Sequence, residues 1–160
     1  MKVVVIYRPK SEHARAVEDY LREFFRRTGH KIEAVDIDSK EGVQMAGLYD
    51  QCDVFVYPSW GEGFGFQPLQ ALAMGMPVIS VDGWADYKKY ITWPIGYKWN
   101  FSPWQDKHPG YMLQPNKESL KKSMIDSVEN YEAVLSQTFK NAFEIHREYD
   151  WTVVTKRAVE

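Results

Sequence analysis

The residues whose types and spacing could do chemistry gather in one short stretch, Ser59-Trp60-Gly61-Glu62-Gly63-Phe64-Gly65-Phe66. Glycines alternate with larger residues there, and a glycine lets backbone approach a ligand closely because no Cβ stands in the way. An apolar run, Asp53-Val54-Phe55-Val56-Tyr57, leads into the stretch and is stopped by Pro58; a helix-forming run from Pro68 to Met74 leaves it. A strand therefore feeds a flexible turn that opens a helix. The helix N-terminus offers unpaired N–H groups and partial positive charge, which together favour a phosphate. In an open α/β sheet, ligands also sit beyond the carboxyl ends of the strands. A carboxylate at Glu62 would accept hydrogen bonds from hydroxyls. Geometry and charge point to a phosphorylated, hydroxyl-rich ligand. The blander reading of Glu62 is a cap on the helix that follows.

Other candidates carry less. Arg8 and Lys10 follow the first strand, where they would serve either as solvated loop charges or as neutralising groups for a phosphate. Asp36-Ile37-Asp38 is a D-x-D pattern at a strand end, where acidic residues are common. No pair among His13, His30, His108 and His146 has metal-ligand spacing, so no metal is expected. The lone Cys52 excludes an internal disulfide and suggests a reducing compartment.

The elements that must position the turn are legible from periodicity. Val3 to Tyr7 is β-branched without alternation, as in a strand buried on both faces. Ser11 can cap a helix in which Ala14, Val17, Leu21, Phe24 and Phe25 form one stripe, ended at Gly29. Lys31 to Ile37 reads as a second strand and residues 39–49 as a shorter helix. Val78 to Val81, after Gly75 and Pro77, is a fourth strand. Residues 83–115 hold four tryptophans and four prolines and read as a long, partly ordered loop with short strands. Asn116 can cap a long helix with Leu120, Met124, Val128, Tyr131 and Leu135 facing inward. A further helix runs to about Tyr149, and a last one from Trp151 to Ala158. Alternation of this kind predicts an α/β fold: a Rossmann-like, mostly parallel sheet with helices on both faces.

At 160 residues the chain suits one domain, or one domain and a fragment. A net charge of −2 favours neither nucleic acid nor an anionic membrane as partner. The apolar N-terminal run is too short to span a bilayer, and a soluble cytoplasmic protein is expected. Aromatic residues make up 15% of the chain, so the middle segment is where an unusual surface should lie. Trp84, Trp99 and Trp104 either close a core or stack on sugar rings.

Residues 53–79 resemble the E-x7-E region of retaining GT-B glycosyltransferases of the glycogen-synthase-like group, family-4-like. The matching parts are the strand, Pro58-Ser59, Glu62-Gly63-Phe64-Gly65, the helix, and Gly75-Met76-Pro77-Val78-Ile79. The tryptophan-rich stretches Gly83-Trp84-Ala85-Asp86-Tyr87 and Ser102-Pro103-Trp104 are similar to those of phage-type and other short members, and Tyr149-Asp150-Trp151 to the family's aromatic-Trp helix start. The resemblance implies that residues 46–160 are the C-terminal, nucleotide-sugar-binding region of a single GT-B-type half. It implies that Glu62 contacts the donor sugar, as the catalytic position. Gly63, Phe64 and Gly65, with Phe66 at the helix start, would lie against sugar and diphosphate. The second motif Glu, which holds the ribose hydroxyls, is here Gln70. An amide still bonds a diol but without charge assistance, so weaker ribose binding or a changed nucleotide preference follows. The family is metal-independent, so no cofactor is implied and the D-x-D of the other major glycosyltransferase fold is not needed. The implied partner is a nucleotide-diphosphate sugar.

The resemblance also has gaps. A whole GT-B enzyme has two Rossmann-like domains, and this chain has room for one, so a separate acceptor-binding domain or chain is expected. The family's basic pair after the first strand is matched only loosely by Arg8 and Lys10. Residues 1–50 form a β-α-β segment that resembles the opening of a small thioredoxin-like protein, without its cysteines, or a substitute first half of the sheet. The two resemblances meet at Leu48-Tyr49-Asp50-Gln51-Cys52, which suggests a truncated chain or a chimera. The alternative to a glycosyltransferase is then a thioredoxin-like or structural relic that binds no nucleotide.

Overall fold

A computed structural model describes residues 2–7, 23, 26–27, 29, 31–36, 47, 49–50 and 52–160. Five parallel strands form one sheet: β1 (Lys2–Tyr7), β2 (Lys31–Asp36), β3 (Val54–Tyr57), β4 (Val78–Val81) and β5 (Trp93–Ile95), in the order β2-β1-β3-β4-β5. The first two strands therefore join the same sheet as the glycine-rich turn, with Val5 opposite Val56 and Ile6 opposite Val35. A parallel pair needs a crossover between its strands. Of the helix expected between β1 and β2, Glu23, Arg26 and Arg27 are helical and Gly29 follows in a turn at φ +73. The rest of that helix, and most of 39–49, lies outside the described residues.

Alternation along the strands builds one core on each face. Val54, Val56, Ile79 and Val81 point to one side, where Leu120 and Met124 of α2 (Lys117–Glu129) cover them. Phe55 and Val78 point to the other, against Leu69, Ala71 and Leu72 of α1 (Phe66–Ala73) and Ile145 of α3 (Tyr131–Tyr149). A short α4 (Trp151–Val159) follows, capped by the Asp150 side chain. Asn116 caps α2 as expected, its Oδ1 accepting from Ser119 N at 2.9 Å.

Three expectations need correction. The helix from Asn116 does not continue through Tyr131 and Leu135; it stops at Asn130, whose Nδ2 donates to Asp126 Oδ1 at 2.7 Å. The apolar period runs through this break because Val128, Tyr131 and Val134 all pack on the same core. Residues 83–115 are more regular than a loop. They hold a 3-10 turn (Lys88–Tyr90), the edge strand β5 and an antiparallel hairpin, β6 (Tyr97–Phe101) with β7 (Tyr111–Pro115). Pro94, which cannot donate to a ladder, is tolerated because β5 is an edge. Finally, α1 starts at Phe66, two residues before Pro68.

Candidate functional site

The glycine-rich turn leaves the carboxyl end of β3, next to the carboxyl end of β4. Ser80 Oγ ties the two ends together by donating to Tyr57 O at 3.0 Å. Glu62 is half-buried in this turn. Its Oε1 accepts two hydrogen bonds, from Tyr57 Oη at 2.6 Å and from Ser59 Oγ at 2.8 Å. Among the described residues, Oε2 has no hydrogen-bond partner. One oxygen is thus clamped while the other stays available. The capping reading fails: α1 begins at Phe66 with Gly65 as its N-cap and no side-chain cap bond, and the Glu62 carboxylate bonds to Tyr57 and Ser59 instead. Tyr57 and Ser59 were not singled out from the sequence, although both adjoin the motif; a strand-end tyrosine five residues before the carboxylate was the available signal.

The three glycines of the turn serve different ends. A Cβ on Gly61 or Gly63 would meet nothing within 4 Å, so both face open space. Gly65 sits at φ +76, and a Cβ there would lie 2.3 Å from Trp84 Cζ3 and 2.6 Å from Tyr87 Oη. Its glycine identity is therefore set by packing from behind. Tyr87 also donates its hydroxyl to Gly65 O. Burial, with the Glu62 charge adding, pushes the Tyr87 phenol well up, so it remains a neutral donor.

Phe64 is half-buried, edge-on to Tyr87 at 5.8 Å and to Tyr149 at 6.2 Å. Tyr149, at the end of α3, is itself pushed up to about 12 by burial and by its hydrogen bond to Asp86. Trp84 is edge-on to both Tyr57 and Tyr87 and backs the turn, so it is a packing residue and not a stacking surface. Phe66 is 57% exposed at the first position of α1. Gln70 is exposed one turn later on the same face, and its amide makes no hydrogen bond among the described residues. Arg8 and Lys10 lie outside the described residues; β1, which they follow, is the neighbour of β3. Asp36 ends β2, while Asp38 lies outside the described residues. No cluster of three or more potential metal ligands occurs among the described residues.

The hairpin forms a side wall. Leu113 N donates to Trp60 O at 2.8 Å, and Trp60 meets Trp104 edge-on at 6.1 Å. A hollow of about 560 Å³ lies at the opposite end of the sheet, lined by Asp53, Glu129, Tyr131 and Glu132 among others; it is remote from the turn.

The strand, the glycine turn and the helix start lie within the residues that the model of one known family matches. The model described as "Glycosyl transferases group 1" matches residues 11–91, just over half of the chain. The chain belongs to this glycosyltransferase family. The match spans the junction near residue 50 and includes most of the segment that resembles a thioredoxin-like opening. This glycosyltransferase chain is also similar to the lipopolysaccharide core biosynthesis mannosyltransferase LpsB of Rhizobium meliloti (strain 1021). Identity is 37% over 73 residues, covering 36% of this chain and 20% of that protein. The chain thus aligns with only about one fifth of that relative's length. No solved structure gives a significant match. No helix among the described residues is long and apolar enough to cross a membrane.

Proposed function

We propose that this glycosyltransferase chain is the donor-binding half of a retaining, metal-independent GT-B enzyme, holding a nucleotide-diphosphate sugar at the Glu62 turn. One observation supports the reading: Glu62 is held by Tyr57 and Ser59 through one oxygen, its second oxygen has no hydrogen-bond partner among the described residues, and the glycines on either side of it in the chain, Gly61 and Gly63, face open space. Sugar hydroxyls would bond to that second oxygen. The diphosphate would lie toward the start of α1, whose first turn carries no acidic residue to oppose it. In the transfer, an acceptor hydroxyl oxygen bonds to the anomeric carbon from the face the leaving group departs. The bond from that carbon to the diphosphate oxygen breaks, the electron pair leaves with the diphosphate, and the hydroxyl proton passes to it. Arg8 and Lys10 would neutralise the departing charge. The acceptor-binding domain would come from a separate chain or region, in keeping with the one-fifth share of the relative that is matched. The cytoplasm, where activated sugars are made, is the proposed location.

Saturation-transfer NMR with UDP-, GDP- and ADP-sugars tests the reading, and absence of any signal would defeat it. Two finer outcomes follow. Tyr57→Phe and Ser59→Ala each remove one bond that holds Oε1 in place, and the loosened carboxylate should bind the donor about fivefold more weakly, a loss of about 1 kcal/mol. Gln70→Glu restores a charge-assisted bond to the ribose and should tighten nucleotide binding by several-fold, measured by isothermal titration calorimetry.

A further inference from the structure

The β6–β7 hairpin carries an aromatic strip that the donor reading does not use and that lies beyond the family match, which ends at residue 91. The pairs Tyr97–Pro115, Trp99–Leu113 and Phe101–Tyr111 share one face of the hairpin. Leu113 and the Tyr97 ring anchor that face on Gly83, just after β4, where a Cβ would lie 2.5 Å from Tyr97 Cζ. Beyond the anchor the rings emerge: Trp99 is 66%, Phe101 60% and Tyr111 62% exposed. Phe101 and Tyr111 stack at 4.4 Å, so each holds the other in place. The tip is braced as well, with Ser102 N donating to Gly110 O at 2.9 Å and Gln105 Nε2 to Ser102 O at 2.8 Å. The strip is exposed and apolar, and its outer pair is held in place.

We infer that this strip binds a neutral saccharide chain, an outlying part of the acceptor whose reacting end the separate acceptor-binding domain would hold, so its acceptor role rests on the transfer proposed above. Three features select this occupant. No residue on the strip carries a formal charge, which suits a neutral ligand and gives a charged one nothing to pair with. A five-residue, two-stranded face measures roughly 17 Å by 10 Å, far below the ~800 Å² per partner that a stable protein interface needs. Its rings on β6 recur every two residues, at steps of about 7 Å, so it offers a row of platforms to an elongated ligand. The apolar face of a pyranose stacks on such rings while its hydroxyls stay in water. The Leu113–Trp60 bond ties the hairpin to the glycine turn at the level of Trp99, the residue opposite Leu113, so a saccharide on the strip lies beside that turn. Because Phe101 and Tyr111 already hold each other in place, ordering that pair on binding loses little side-chain entropy.

Saturation-transfer NMR with maltotriose, α-mannotriose and triacetylchitotriose tests the inference on the intact chain. At least one trisaccharide should bind, and Trp99→Ala should weaken it about tenfold. Trp99→Phe, which keeps a ring, should retain most of the binding. Phe143→Ala, which removes an equally exposed aromatic from α3, should leave it unchanged. UDP-, GDP- and ADP-sugar binding should be the same in Trp99→Ala as in the parent. If no trisaccharide binds while a nucleotide sugar does, the strip is not an acceptor site and the donor reading survives. If trisaccharides bind and no nucleotide sugar does, the acceptor role is overturned with the donor reading, and saccharide binding alone stands. Equal binding by Trp99→Ala and the parent overturns the inference. So does sedimentation showing a dimer that Trp99→Ala dissociates, since the face would then belong to a second copy.

Discussion

Gly65→Ala should cost about 3 kcal/mol of stability, enough to displace the glycine turn or unfold a marginal domain. Two penalties add. The φ of +76 puts any L side chain in the left-handed region, at about 1–2 kcal/mol. The new methyl would sit 2.3 Å from Trp84 Cζ3 and 2.6 Å from Tyr87 Oη, and relieving such overpacking costs about 1–3 kcal/mol. Neither neighbour yields easily. Tyr87 is fully buried and donates its hydroxyl to the carbonyl of residue 65, and the Trp84 ring is wedged between Tyr57 and Tyr87. Thermal unfolding should shift down by roughly 6–12 °C. Gly61→Ala and Gly63→Ala are the controls: a methyl there meets nothing, so stability should change by no more than about 0.5 kcal/mol. The controls should still weaken nucleotide-sugar binding if the ligand occupies that open space. A Gly65→Ala protein as stable as its parent would mean the turn is not packed as described.

Glu62→Ala should separate binding from stability in the opposite sense. The carboxylate is half-buried and, among the described residues, accepts only from Tyr57 and Ser59, whose hydroxyls can turn to water once it is gone. Little stability should be lost. A hydrogen bond to a charged group is worth about 1.5–3 kcal/mol, so the donor dissociation constant should rise about 10–100-fold. Glu62→Gln keeps the shape and an acceptor oxygen and should fall between the two. Calorimetric titration with the nucleotide sugar that gives the strongest NMR signal reads all three proteins. An unchanged dissociation constant in Glu62→Ala would remove this residue from the donor site.

β1, β3 and β4, and the turn after β3, were legible in the sequence because each of these strands is a mostly apolar run with a proline close to one end. β3, β4 and α1 lie within two residues of where periodicity puts them. β5 was not legible, since three residues with a central proline carry no strand period; pairing with β4 is what makes Trp93–Ile95 a strand. The hairpin was hidden for a related reason. β6 does alternate aromatic and polar residues, Tyr97-Lys98-Trp99-Asn100-Phe101, but it is only five residues long and lies among four prolines, so the segment as a whole reads as a loop. At the site, Glu62 could be found because glycines flank it. The reason for Gly65 could not, because it depends on Trp84 and Tyr87, brought up from a different segment. Likewise Trp84 was grouped with Trp99 and Trp104, and only packing separates one that faces inward from two that face out.

The aromatic residue that braces Phe64 belongs to the far end of α3, whose first residue, Tyr131, hydrogen-bonds to Asp53 at the opposite rim of the sheet. Nineteen residues of helix, about 28 Å, act as a strut between the two rims. Shortening the chain anywhere along that strut takes away the buttress of the turn without touching a ligand contact. Deletion mapping of this protein will therefore credit its last thirty or so residues with a recognition role that is mechanical support.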